Sequence, residues 1–264
     1  MSDRSAAGRP TIEELRRRTQ PPEVRGRRNS EHWTADLYQR RLSPYLTRVL
    51  IGTSLTANAV TVLMIITGAS AAFALLLPGI LGAVLAAFLA QLQMLWDCCD
   101  GEVARWRGTY SPLGVFLDKV GHYTAESLVP LCLGVRADGG LDDLGGWTTL
   151  GALLGVLVLY NKALNDAVHV ARAWAGLPRL EDRAEVAAPR AAGLRRLRSV
   201  ARFVPFHRVF HSIELTLLAL VAAIADLALG GLDGSRLLLA VLVPLAGVTI
   251  VGHLLAILSS SRLR

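Results

Sequence analysis

The chain has 264 residues, 52% of them hydrophobic, with a formal net charge of +7. That much apolar content excludes an ordinary soluble domain, and the length fits one compact bundle rather than two domains. The arginines cluster in segments flanking apolar stretches, as membrane orientation and anionic lipid headgroups require, so the positive charge points to lipid and no nucleic-acid partner is expected.

Residues 1–30 carry Arg, Pro, Glu and Gly with little apolar content, and are expected to be a mostly disordered, Arg-rich tail. No apolar core of a signal peptide precedes the first long apolar stretch, so none is expected. Within 31–50, Trp33, Leu37, Tyr38, Leu42, Tyr45, Leu46 and Val49 alternate with Arg40, Arg41 and Arg48. This predicts a helix lying on the membrane surface, broken near Ser43-Pro44. Six apolar stretches follow, at roughly 56–77, 79–104, 112–135, 147–172, 208–229 and 236–258. Each is about the twenty residues that a spanning helix needs. Pro78-Gly79, Asp138-Gly139-Gly140, Gly145-Gly146, Gly230-Gly231 and Asp233-Gly234 supply turn chemistry at the joints. The 177–207 connection sets Leu194, Leu197, Val200, Ala201 and Val204 at helical spacing among arginines, predicting a second amphipathic helix at the cytoplasmic face. The fold class expected is an all-α integral membrane protein, with one domain over 31–264 made of six transmembrane helices and interfacial helices.

Arginine placement sets the orientation. The N-terminal segment, the 105–111 turn, the 177–207 connection and the tail after Ser261 hold most of them. Both termini and the 105–111 turn are therefore expected in the cytoplasm of a bacterial-type plasma membrane. Cys98, Cys99 and Cys132 form neither a disulfide framework nor a zinc spacing and read as small helix residues.

The chemistry sits beside that turn. Asp97 and Asp100 share a helix face, and Asp118 and His122 are four apart on the next helix. Carboxylates at a membrane span are costly and imply a site. An oxygen-rich group suits Mg2+ or Mn2+, which bind a few carboxylates together with substrate phosphates.

The run Asp97-x2-Asp100-Gly101-x2-Ala104-Arg105-x8-Gly114-x3-Asp118 resembles the CDP-alcohol phosphotransferases, with His122 where that family's pattern ends in an aspartate. The resemblance implies metal-dependent transfer of a phosphoalcohol from a CDP-alcohol to an acceptor alcohol, releasing CMP, in phospholipid biosynthesis. It implies Asp97, Asp100 and Asp118 on the metals, and Gly101, Ala104 and Gly114 beside the CDP moiety. It also implies a homodimer. Arg105 is a candidate for steadying the diphosphate or an aspartate, or else an arginine that serves only membrane topology. Asn58 and Thr61, in Thr56-Ala57-Asn58-Ala59-Val60-Thr61, resemble the start of the family's first span, with Ala57 in place of a proline.

Three roles are open to His122: general base, metal ligand, or mark of a weakened site. Glu126, four residues on, is a candidate carboxylate partner for a His122 base, or else the partner of a basic residue elsewhere in the bundle. Lys162 and Arg172 on the fourth span, with His207, Arg208 and His211 at the start of the fifth, are candidate acceptor contacts, their cationic members suiting a phosphate. Gly151 and Gly155 make a GxxxG, suited to a dimer contact or to close packing within one protomer. CDP-diacylglycerol is the favoured donor. The alternatives are a soluble CDP-alcohol with a lipid acceptor, a non-catalytic lipid-binding member, and a membrane transporter.

Overall fold

The computed structural model describes residues 10–22, 34–178 and 206–263, and every regular element among them is helical. The amphipathic connection expected over 177–207 lies almost wholly outside the described residues, as do 1–9 and 23–33 of the N-terminal segment.

A short helix, α1 (Ile12–Thr19), stands inside the stretch expected to be disordered. Thr11 caps it by accepting from Glu14 N–H at 3.1 Å, Glu13 and Glu14 occupy the first turn, and Arg16, Arg17 and Arg18 the last. That order complements the helix dipole. Leu15 and Thr19 are buried, so the helix has a docked face despite its polar composition.

Ala35–Gln39 forms a π-helical turn that runs into α2 (Arg40–Leu50). The expected break at Ser43-Pro44 does not occur, and Pro44 sits inside the helix. Proline leaves the carbonyl four residues earlier without its helical donor. That carbonyl, on Arg40, accepts from Gln20 Nε2 at 2.8 Å. A donor from outside the helix thus removes the cost that predicted the break.

The long helices follow the apolar stretches closely: α3 (Ala57–Ala74), α4 (Gly79–Arg107), α5 (Pro112–Asp138), α6 (Gly146–Trp174), α7 (Ser212–Leu229) and α8 (Asp233–Ser259). Among the described residues, five are long and apolar enough to cross a membrane: α3, α4, α6, α7 and α8. α5 is equally long, at 27 residues, but carries Asp118, Lys119, His122, Glu126 and Arg136. Those residues depress its apolar character and also bear much of the expected chemistry.

Two compact units divide the chain: Met1–Gly68 with Leu89–His122, and Ala69–Phe88 with Tyr123–Arg264. In the first, Leu50, Ala57, Val60, Cys99 and Val103 form a buried cluster joined by Leu46, Ile51, Trp96 and Ala104. The cluster brings the end of α2 and the start of α3 onto the last turns of α4. Arg107 secures the intervening 51–55 turn by donating to the carbonyls of Leu50 (3.2 Å), Thr53 (2.8 Å) and Leu55. On α5, a Cβ at Gly121 would lie 2.6 Å from Met64 Cε, so a larger residue there would have to displace the Met64 side chain of α3.

In the second unit, α8 packs along α6 and α7. α5 and α6 meet through glycines: a Cβ on Gly134 would fall 2.6 Å from the Trp147 carbonyl, and one on Gly151 2.5 Å from the Pro130 carbonyl. Gly155 stands likewise against the Ser127 carbonyl. The GxxxG of α6 is thus used for close packing within the protomer, one of the two uses its sequence suggested. An aspartate at each helix end caps the helix that follows. Asp138 accepts from Gly145 and Thr148 N–H, both at 2.7 Å, and Asp226 accepts from Gly234 N–H at 2.7 Å and Ser235 Oγ at 2.5 Å.

Candidate metal centre

The last turns of α4 and the first turns of α5, within one unit, build the acidic group. Residues three and four apart share a helical face, so Asp97 and Asp100 lie one above the other, as do Asp118 and His122. His122 Nε2 lies 3.3 Å from Asp97 Oδ1 and 3.5 Å from Asp118 Oδ1. One ligand atom from each of Asp97, Asp118 and His122 falls within 4.8 Å of the others. With the imidazole neutral, the trio carries two formal negative charges around a space of ionic size. Two carboxylate oxygens and an imidazole nitrogen are donors that Mn2+ accepts readily and Mg2+ less so. The residues therefore fit a divalent cation.

Asp100 is held differently. Its Oδ2 accepts from Thr61 Oγ1 of α3 at 2.7 Å, while the same hydroxyl lies 3.2 Å from the Ala57 carbonyl. Thr61, singled out for its likeness to the start of the family's first span, thus braces a motif carboxylate. Asn58 lies a turn earlier, and its Oδ1 would stand 3.1 Å from a Cβ on Gly114, so Gly114 makes room for Asn58. Gly101 makes room for Arg105: a Cβ there would lie 3.1 Å from both terminal guanidinium nitrogens. Arg105 donates through Nε to the Thr19 carbonyl at the end of α1. Ala104 packs on the buried cluster at the base of α4.

A carboxylate not singled out in the sequence proves the most enclosed in this unit. Glu102, at a variable position of the motif, is fully buried. Its Oε1 accepts from Gln20 Nε2 at 2.8 Å and Ser43 Oγ at 2.5 Å, and its Oε2 from Thr47 Oγ1 at 2.7 Å. Its partners come from α1 and α2, up to 82 residues away, beyond the reach of any local pattern.

The other unit contains a second ionic group. Glu126 Oε1 is 2.8 Å from Lys162 Nζ and 3.0 Å from His211 Nδ1. Lys162 Nζ also lies 5.9 Å from the centre of the Tyr123 ring, and the Tyr123 hydroxyl bonds Asp166. The carboxylate offered by sequence as a partner for His122 thus engages a lysine and a different histidine. Among the other acceptor candidates, Arg172 is buried and donates to the carbonyls of Pro178 and Arg262, both at 2.8 Å, which ties the end of α6 to the C-terminal segment. Arg208 is partly exposed in the 3-10 turn Phe206–Phe210, and the side chain of His207 lies outside what is described.

Five apolar, membrane-length helices, with Asp97, Asp118 and His122 grouped so that they could hold a cation where α4 meets α5, are the features of a polytopic membrane protein with a candidate metal site. The particular family follows from comparison: residues 54–176 match the family model of the CDP-alcohol phosphatidyltransferases. This stretch is a CDP-alcohol phosphatidyltransferase domain, and its apolar helices make the chain an integral membrane protein. The family uses divalent metal ions, in accord with the donor set of Asp97, Asp118 and His122. A search of curated proteins found no match to the chain.

Proposed function

We propose that this chain transfers a phosphatidyl group from CDP-diacylglycerol to an acceptor alcohol, releasing CMP. The observation that carries the reading is the convergence of Asp97, Asp118 and His122 inside the matched domain. The acceptor hydroxyl forms a bond to the phosphorus that bears the diacylglycerol. The bond from that phosphorus to the bridging oxygen breaks, and CMP departs with the oxygen and its electron pair. The hydroxyl proton passes to a base.

Asp97, Asp100, Asp118 and His122 would hold Mg2+ or Mn2+, which when bound supplies neutralising charge beside the diphosphate. Thr61 fixes the rotamer of Asp100, and the Arg105 guanidinium rests over Gly101, the next residue in sequence. His122 turns Nε2 toward both carboxylates, which supports the ligand role over that of free base. The arginine-rich turn after α4 supports a site open to the cytoplasm, where soluble acceptors are found.

The test is CMP release by purified protein in lipid, with Mg2+ or Mn2+, CDP-diacylglycerol and a pool of acceptors: glycerol 3-phosphate, inositol, inositol 1-phosphate and serine. Acceptor-dependent CMP, abolished in Asp100→Ala, is the expected result. Release only from CDP-choline or CDP-ethanolamine with diacylglycerol would reverse the donor assignment. Nucleotide binding with no CMP from any donor would leave a non-catalytic lipid-binding role.

A further inference from the structure

We propose that Glu102 is a positioning residue, whose buried carboxylate draws α1 and α2 onto the motif turn of α4 and thereby holds the Arg105 guanidinium over Gly101, the residue after Asp100. The inference rests on the reading of this domain as a CDP-alcohol phosphotransferase. Its structural basis lies within one unit and largely outside the matched residues 54–176.

A buried carboxylate is costly unless donors replace its water, and three converge on Glu102: Gln20 from the end of α1, and Ser43 and Thr47 from successive turns of α2. Gln20 divides its amide between Glu102 and the Arg40 carbonyl freed by Pro44, so α1, α2 and α4 meet at one side chain. Immediately before Gln20, the Thr19 carbonyl receives Arg105 Nε. Arg18 stacks over Trp106, with its guanidinium carbon 4.4 Å from the ring centre. The end of α1 therefore grips α4 at 102, 105 and 106, on the residues following Asp100. An arginine that meets a diphosphate needs a fixed direction, and the Thr19 carbonyl supplies it only while α1 is docked. From α4, Glu102 accepts from both α1 and α2.

The experiment uses full-length protein in detergent and two measurements: affinity for CDP with Mn2+ by calorimetry, and hydrogen exchange over residues 12–20. Glu102→Ala is expected to speed exchange across α1 and to weaken CDP about tenfold, the scale of one lost charge-assisted hydrogen-bond network. Glu102→Gln, which retains an acceptor for Gln20 and Ser43, should recover most of both. Glu102→Ala combined with Arg105→Ala should bind CDP no more weakly than Arg105→Ala alone, since residues acting through one another are not additive. Gln20→Ala, which removes only the α1 donor, stands in if Glu102→Ala fails to fold. Unchanged exchange over α1, or additive losses in the double variant, would overturn the proposal. A wild-type chain that binds no CDP would overturn the phosphotransferase reading instead, and exchange over α1 would still decide the tether.

Discussion

The acidic group of α4 and α5 and the ionic group around Glu126 use the same side-chain types to opposite ends. The first sets two carboxylates about one imidazole; the second sets one carboxylate between an ammonium and an imidazole. With imidazoles neutral, the named groups sum to two negative charges in the first case and to none in the second. The carboxylates differ in accessibility, the Asp118 side chain being 39% exposed and that of Glu126 1%, while His122, Lys162 and His211 are similar at 21%, 21% and 27%. Two carboxylates about one imidazole suit a cation, whereas a buried carboxylate beside an ammonium is balanced within the fold. On that difference, loss of Asp118 is expected to end chemistry and loss of Glu126 to lower stability.

The sharpest way to break this comparison is to neutralise one carboxylate in each group. Asp118→Asn should reduce metal-dependent CMP release by about a thousandfold or more, as removal of metal-held charge stabilisation does, while leaving the thermal midpoint in detergent unchanged or raised. Glu126→Ala should instead lower stability by about 3 kcal/mol, because it leaves Lys162 without its buried counter-charge. Glu126→Ala with Lys162→Met should recover much of that loss. Equal destabilisation by Asp118→Asn would show that the acidic group is structural too.

A smaller effect sharpens the role of His122. Imidazole is a poorer partner for Mg2+ than for Mn2+, so the wild-type chain should favour Mn2+. His122→Asp restores the residue at the end of the family's pattern and should move the Mn2+/Mg2+ activity ratio toward Mg2+ by about tenfold. An unchanged ratio would take His122 out of the ligand set.

The smallest effect concerns a carboxylate outside both groups, on the last residue of α5. The Thr148 hydroxyl, then the backbone N–H groups of Thr148, Gly145 and Trp147, hold Asp138 below the usual carboxylate range. A depressed folded pKa stabilises above the unfolded value of about 3.9 and loses that contribution as pH falls through the folded value. The difference in thermal midpoint between wild type and Asp138→Ala should therefore be full at pH 6 and shrink below about pH 4. A difference that grows on acidification would reverse the assigned sign.

Much of the acidic group is legible in the sequence because helical periodicity is local. Spacings of three and four residues dictate that Asp97 pairs with Asp100 and Asp118 with His122, once apolar runs identify the segments as helices. The same periodicity conceals Glu102, which stands about 140° round the helix from Asp97 and so belongs to a different face. Its partners at 20, 43 and 47 lie on other elements. α1 is hidden for a related reason. Eight residues with three arginines have too little apolar content to signal a helix, and their order depends on Leu15, Thr19 and Gln20 meeting a surface made by α2 and α4. Pro44 misleads in the same way, since its cost is real in isolation and is removed by a donor from another helix.

By itself the sequence determined the all-α class, the bounds of the long helices to within a few residues, and a candidate metal group at the adjoining ends of α4 and α5. These follow from transfer energies and from the 3.6-residue repeat, both properties of a segment alone. Only the tertiary structure decided that Thr61 braces Asp100, that Glu126 pairs with Lys162 and His211, that Gly151 packs within the protomer, and that Glu102 binds α1 and α2. Each of these matches a donor or a space on one helix to an acceptor or a backbone on another, and buried polar groups choose partners by position in space rather than by distance along the chain.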